Sequence, residues 1–85
     1  MNGVTNTAID PWEKLDNQIR RMISSARAAK GYTWEDLAKE LQIKGWDITA
    51  GNLMTRHSRC AFRADEVMLI MNVLGVQKVD VPSIE

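Results

Sequence analysis

The segment from Thr33 to Arg59 most constrains the fold, because it holds two helix-start signals separated by a helix-breaking glycine. Thr33 and Asp36 have the spacing of a capping box, in which each side chain accepts a hydrogen bond from the other residue's backbone N–H. Three apolar side chains follow at helical spacing: Leu37, Ala38 and Leu41. Gly45 then interrupts the pattern, and Thr49 is a second candidate cap. The segment therefore predicts two short helices joined by a turn.

The second of these helices is expected to have two unlike faces. Its inner stripe consists of Ala50, Leu53, Met54 and His57. Its outer stripe consists of Asn52, Thr55, Arg56 and Arg59, at positions i, i+3, i+4 and i+7. All four outer side chains can donate hydrogen bonds. Arginine pairs bidentately with guanine and asparagine with adenine in the major groove of DNA, so this helix is suited to contacting base edges.

Two peptides resemble the phage repressor and Cro-type helix-turn-helix family: GYTWEDLAKELQI, the opening of the motif, and RADEVMLIMNVLGV, its fourth helix. The resemblance covers roughly residues 19–76, and Ala38 matches the small residue over which the third helix crosses in that family. The chain departs from the family in a longer link between the second and third helices, residues 44–48, and in Cys60, where a glycine often stands. The resemblance implies an all-α, four-helix helix-turn-helix domain that binds double-stranded DNA as a transcriptional repressor or autoregulator.

The candidate DNA-binding residues combine the outer stripe with residues expected to hold the DNA backbone. They are Thr33, Lys44, Thr49, Asn52, Thr55, Arg56, Arg59 and Arg63. The backbone N–H groups around Thr33, at the start of the second helix, are a candidate phosphate clamp. Trp34 is expected to pack over its neighbours, such as Tyr32, rather than to contact a phosphate. Trp46 is expected to fill the gap between the second and third helices.

The first helix is predicted from its start and stop signals. Asp10 is a suitable N-cap, Pro11 suits the first helical position, and Gly31 is the expected C-cap after Lys30. Its apolar side chains recur at helical spacing: Trp12, Leu15, Ile19, Met22, Ile23 and Ala26. Residues 1–9 are expected to form a loose arm, residues 10–76 the helix-turn-helix domain, and residues 77–85 a tail.

The fourth helix, expected from Arg63 to Leu74, is apolar almost all round. One face suffices to cover a small core, which leaves Met68, Leu69 and Val73 as surplus and favours a homodimer. In the tail, Val79 and Val81 alternate with charged residues, as in a short β-strand. That strand either pairs with its symmetry mate or folds back onto its own core, and both alternatives stay open. The candidate dimer interface is Met68, Leu69, Val73, Val79 and Val81.

The net charge is zero, but the charges are segregated along the chain. Residues 20–30 contain four basic side chains and no acid, whereas residues 64–85 contain four acids and one lysine. A basic surface is therefore compatible with the neutral total, although a strongly basic footprint is missing. This balance keeps a second hypothesis open, that of a protein-interaction adaptor or inhibitor that retains the fold without binding DNA.

Other function classes find little support in the sequence. His57 and Cys60 form neither a catalytic triad nor, without further ligands, a zinc site, so we expect no enzyme, cofactor, metal or small-molecule substrate. The longest apolar run, residues 67–71, is too short to cross a membrane. The lone cysteine and the start of the sequence, which lacks signal-peptide features, lead us to expect a cytoplasmic protein.

Overall fold

The computed structural model describes residues 10–78 of the chain and contains four α-helices. They are α1 (Pro11–Lys30), α2 (Trp34–Ile43), α3 (Ala50–Arg59) and α4 (Ala64–Val73). No strand occurs between residues 10 and 78, and the predicted all-α, four-helix class is confirmed. The predicted arm (residues 1–9) and the predicted strand with Val79 and Val81 lie outside the described residues.

The helix ends follow the local signals of the sequence. Asp10 accepts a 2.8 Å hydrogen bond from the backbone N–H of Trp12, and Gly31 ends α1 in a left-handed conformation at φ +74°. At α2, the Thr33 hydroxyl oxygen accepts from the Asp36 N–H (3.0 Å), and the Asp36 carboxylate accepts from the Thr33 N–H (2.9 Å). Both predicted starts are therefore confirmed, because each satisfies backbone donors that a helix leaves unpaired.

All four helices and the α2–α3 link contribute to one apolar core. Its nine buried members are Ile23, Leu37, Ala38, Leu41, Ile48, Leu53, Ile70, Met71 and Leu74. The strongest packing joins α2 to α3 and α2 to α4, so α2 lies at the centre of the domain. Each fully buried aliphatic side chain contributes about 1.5–3 kcal/mol, so these residues are the main source of stability.

The long link between α2 and α3 is an ordered turn. Gly45 adopts φ +102°, a conformation that suits glycine, and the Trp46 N–H donates to the Leu41 carbonyl at 2.9 Å. The Gln42 side-chain amide donates to the Ile48 carbonyl at 2.8 Å. Trp46 is half-buried and packs edge-on against Phe62, with ring centroids 6.4 Å apart. The link is thus tied to the body of the domain at both ends.

Cys60 ends α3 in the left-handed conformation that a glycine would adopt, at φ +50°. This conformation costs an L-residue about 1–2 kcal/mol. It lets the Cys60 N–H donate to the His57 carbonyl (3.1 Å) and the Ala61 N–H donate to the Arg56 carbonyl (2.8 Å). The α3 terminus is therefore satisfied in the manner of a glycine-capped helix.

Three packing predictions need correction. Met54, placed on the inner stripe, is 49% exposed. Trp12, placed on the core stripe of the first helix, is 75% exposed. On α4, Leu69 and Val73 are half-buried against the domain's own core, so the prediction that they are surplus is wrong, whereas Met68 is 71% exposed. For Trp12, Leu69 and Val73 the cause is that helical periodicity does not give the distance to which the core extends. Met54 lies at the edge of its stripe and turns to the outward side of α3.

Candidate nucleic-acid interface

The outward face of α3 carries three of the four outer-stripe residues. Asn52, Thr55 and Arg59 are all exposed, and Gly51, Met54 and Ser58 share that side of the helix. Leu53, on the opposite side, is fully buried in the core. The structure thus leaves an amide, a hydroxyl and a guanidinium group exposed on one face of α3.

Arg56 does not belong to this outward group. Its guanidinium donates to Glu66 Oε1 (2.8 Å) and, through Nε, to the Ala61 carbonyl (3.1 Å). It also lies over two rings, 5.4 Å from the Trp46 centroid and 5.8 Å from that of Phe62. The predicted outward orientation of Arg56 is therefore wrong. The residue lies at the border of the two faces, and its long side chain turns towards the acid and aromatic rings beside α4.

His57 fixes α3 against α1. Its Nε2 lies 3.1 Å from the Arg20 carbonyl oxygen and 3.2 Å from Ser24 Oγ. Because a carbonyl oxygen can only accept, Nε2 carries the proton in this arrangement. His57 therefore lies on the inner side of α3, as predicted, and anchors the helix.

Trp34 packs rather than reaching outward. Its ring centroid lies 4.9 Å from that of His57, and the Arg27 guanidinium carbon lies 4.6 Å above it. Arg27 in turn donates to the Tyr32 carbonyl at 2.7 Å. The packing interpretation of Trp34 is confirmed, although the ring contacts are to His57 and Arg27 rather than to the Tyr32 ring we expected.

The N-termini of α2 and α3 differ in charge. The α2 terminus carries Glu35 and Asp36, and the hydrogen bonds from Thr33 lower the pKa of the Asp36 carboxyl, which keeps it ionised. The α3 terminus is capped by the Thr49 hydroxyl, which accepts from the Asn52 N–H at 3.1 Å, and its first turn has no acid. A helix N-terminus attracts anions, and nearby carboxylates satisfy that attraction. At the predicted phosphate clamp, the Thr33 N–H is therefore already bonded to the Asp36 carboxylate, and the charge of Glu35 further opposes a phosphate there.

The remaining candidate contacts, Lys44 and Arg63, lie in the links before and after α3. Lys44 is exposed directly after α2. Arg63, directly before α4, pairs with Asp65 at 2.8 Å, yet its side chain stays 76% exposed. Such an exposed ion pair is worth about 0–1 kcal/mol, so a phosphate can compete for Arg63.

Sequence reasoning missed two residues that shape this surface. Glu66 holds Arg56 and also accepts from the Arg63 N–H at 2.9 Å, but no helical spacing links residues 56 and 66. Gln42 braces the α2–α3 turn through the Ile48 carbonyl. A glutamine on a polar helix face gives no sequence signal for that contact.

Two further observations concern metal binding and the reactivity of the cysteine. Between residues 10 and 78, no three side chains of His, Cys, Asp or Glu come together in a way that could hold a metal ion. Burial, together with the Asp16 carboxylate, raises the pKa of the Cys60 thiol, which disfavours the reactive thiolate. In the same range, no helix combines the length and the apolar character needed to cross a bilayer.

Comparison with known proteins gives one match. No curated protein and no solved structure matches the chain. A family model described as a domain of unknown function, DUF6471, matches residues 13–79. That range includes α2, α3 and α4 and all but the first two residues of α1. The chain therefore belongs to the DUF6471 family.

Proposed function

We propose that this protein binds double-stranded DNA sequence-specifically and acts in the cytoplasm as a transcriptional repressor or autoregulator. The observation that carries the proposal is the outward face of α3, where Asn52, Thr55 and Arg59 are exposed on a helix whose N-terminus has no acid. Its resemblance to the repressor and Cro-type helix-turn-helix family supports the same function.

In the proposed complex, α3 enters the major groove. Asn52 pairs with adenine, Arg59 pairs with guanine or a flanking phosphate, and the Thr55 hydroxyl and methyl groups meet a base edge. Arg56 takes no part in base contacts, because Glu66 and the Ala61 carbonyl hold its guanidinium. It positions α3 instead.

Contacts with the DNA backbone come from either side of α3. Lys44, in the link before α3, and Arg63, between α3 and α4, are exposed cations, and the Thr33 and Thr49 hydroxyl groups can each donate one hydrogen bond. Thr33 contributes least, since its neighbours Glu35 and Asp36 repel a phosphate. Each cation that neutralises a phosphate adds about 0.9 to the slope of log affinity against log salt concentration.

The protein binds its operator as a homodimer in this proposal. A two-fold dimer presents two α3 helices to successive major grooves, about 34 Å apart, so the preferred site is nearly palindromic.

Selection from a random duplex library tests the function directly. We expect a near-palindromic consensus whose binding weakens steeply with salt. Asn52→Ala is expected to lose about 1–3 kcal/mol of binding free energy and to relax the preference at one position. Asn72→Ala removes an exposed amide of the same kind from α4, serves as the matched control and leaves binding unchanged. A selection without consensus and no salt-dependent retention on duplex DNA would overturn the proposal.

The second candidate function is that of an adaptor or inhibitor acting on another protein. Two observations favour it: the carboxylates at the α2 N-terminus, and the exposed Trp12 and Met68 side chains. An adaptor shows little retention on heparin at any salt concentration, whereas a DNA-binding protein is retained and released as salt rises.

A further inference from the structure

The apolar stripe of α1 extends beyond the core. Ile23 is fully buried, and Ile19, Met22 and Ala26 pack on the core. Trp12, two turns before Ile19, is 75% exposed. Leu15, one turn further on, is half-buried. Among the described residues of the first two turns of α1, Trp12 is thus the apolar side chain that the core leaves exposed; we call this side chain the plug.

The flanks of the plug carry acidic side chains. Asp10 caps α1 and Glu13 lies in its first turn, both exposed. Asp16 follows one turn later, and Lys14 is the only base between residues 10 and 19. The plug is therefore an apolar knob on an acidic helix end.

A socket of complementary character lies at the other end of the same helix. A cavity of about 420 Å³ opens between α1 and the end of α4. Apart from Gln18, its lining is mostly apolar or small: Met22, Ser25, Ala26, Ala29, Met71 and Val76. Lys78 lies on its wall, and the Lys30 ammonium approaches Gly75, next to Val76. The socket is therefore an apolar recess with a basic rim.

The plug cannot fill the socket of its own chain. Trp12 and Ala26 belong to one continuous helix, and 14 residues at about 1.5 Å each place them about 21 Å apart along its axis. Only another molecule can bring a plug to this socket. A second copy of this chain carries both elements, so two copies with their α1 helices antiparallel can exchange them reciprocally.

We propose that the protein forms a two-fold homodimer in which Trp12 of each copy enters the socket of the other. Asp10 and Glu13 then lie beside the partner's basic rim at Lys30 and Lys78. The exchange is isologous, so it closes at two copies and leaves no plug or socket unfilled. This assignment places the dimer contact on α1 and the end of α4, away from Met68.

The inference rests on the proposed function in one respect only: both assume that the protein forms a homodimer. Self-association is measured without DNA, so the two can fail separately. A protein that dimerises through α1 and ignores DNA overturns the proposed function alone. A protein that binds DNA while staying monomeric in its absence overturns this inference alone.

Sedimentation equilibrium of the full chain and its variants provides the first test. Trp12→Ala is expected to weaken dimerisation about 30-fold, as for a central tryptophan at an interface. Met68→Ala removes a comparably exposed apolar side chain on α4 and is expected to change the dissociation constant less than twofold. A monomeric wild type, or loss of dimer in Met68→Ala with an unchanged Trp12→Ala, would overturn the proposal.

A charge exchange tests the pairing of acidic plug and basic rim. Glu13→Lys and Lys78→Glu each place like charges opposite one another in both contacts of a homodimer, so each variant alone is expected to dimerise more weakly than wild type. In a mixture, the heterodimer has opposite charges at both contacts, and we expect it to form in preference to either homodimer. Both positions are exposed, and circular dichroism confirms that the variants stay folded. A mixture with no preference for the heterodimer contradicts the proposed pairing.

Discussion

The two sides of α3 differ in how firmly the rest of the protein holds them. On the inner side, Leu53 is fully buried, Arg56 is bound to Glu66, and His57 contacts α1. On the outward side, Asn52, Thr55 and Arg59 are exposed. The polar groups of the inner side are used in fixing the helix, whereas those of the outward side remain available to a ligand. A polar side chain on such a helix can therefore be assigned to a ligand only if the structure shows that it is not already bonded within the protein.

The largest expected effect comes from the buried side. Leu53→Ala removes a fully buried leucine from the contact between α3 and the core. We expect a loss of about 2–5 kcal/mol in the free energy of unfolding, because a cavity is left behind. Urea unfolding followed by circular dichroism measures it. A loss below about 1 kcal/mol would mean that α3 is not packed as described.

Arg59→Ala tests the outward side. We expect a loss of about 1–3 kcal/mol in the free energy of DNA binding and a change within about 0.5 kcal/mol in the free energy of unfolding. The readouts are titration with the selected duplex and urea unfolding. An equal loss of stability would show that Arg59 has internal partners after all.

Arg56→Ala is the matched substitution on the inner side, three residues away on the same helix. Its guanidinium has one carboxylate, one carbonyl and two aromatic rings as neighbours, and its side chain is 34% exposed. We expect a loss of about 1–2 kcal/mol in the free energy of unfolding, between the values for a surface ion pair and for a buried charged hydrogen bond.

The salt dependence of DNA binding separates the two arginines further. Arg56→Ala is expected to leave the salt slope unchanged, since its charge already faces Glu66. Arg59→Ala lowers the slope if Arg59 contacts a phosphate, and changes base preference if it contacts guanine. A lowered slope for Arg56→Ala would restore Arg56 to the DNA-contacting residues and remove the contrast between the two sides.

Ser24→Ala gives the smallest expected effect. It removes one neighbour of His57 Nε2 and leaves the Arg20 carbonyl in place. We expect a loss of about 0.5–1.5 kcal/mol in the free energy of unfolding, the usual net value of one hydrogen bond. No loss would show that the Arg20 carbonyl alone satisfies His57.

The parts of the fold that the sequence predicted well depend on neighbours in the chain. The caps at Asp10 and Thr33 and the stop at Gly31 involve groups two to four residues apart, so their residue types identify them. The burial of Leu37, Ala38 and Leu41 follows from helical spacing in a short helix that lies at the centre of the domain.

The parts that the sequence did not predict depend on distant residues. Arg56 was assigned to the outer stripe by its angle around the helix, but Glu66 lies ten residues away on another element. Trp12 continues the apolar pattern of α1, yet the core ends before reaching it. Periodicity gives the angle at which each side chain leaves its helix, and only the packed arrangement shows where a long side chain turns and which groups it meets.

The hydrogen bond from the Gln42 side chain to the Ile48 carbonyl affects how the α2–α3 link can change. One side-chain amide fixes the far end of the link through a main-chain carbonyl, and Ile48 secures the same point by burial. The side chains of Lys44 and Asp47 are exposed, so their replacement is expected to alter the charge of this bend with little effect on the packing of α3. In the proposed DNA complex, such replacements would tune the backbone contact of Lys44 while leaving the orientation of α3 unchanged.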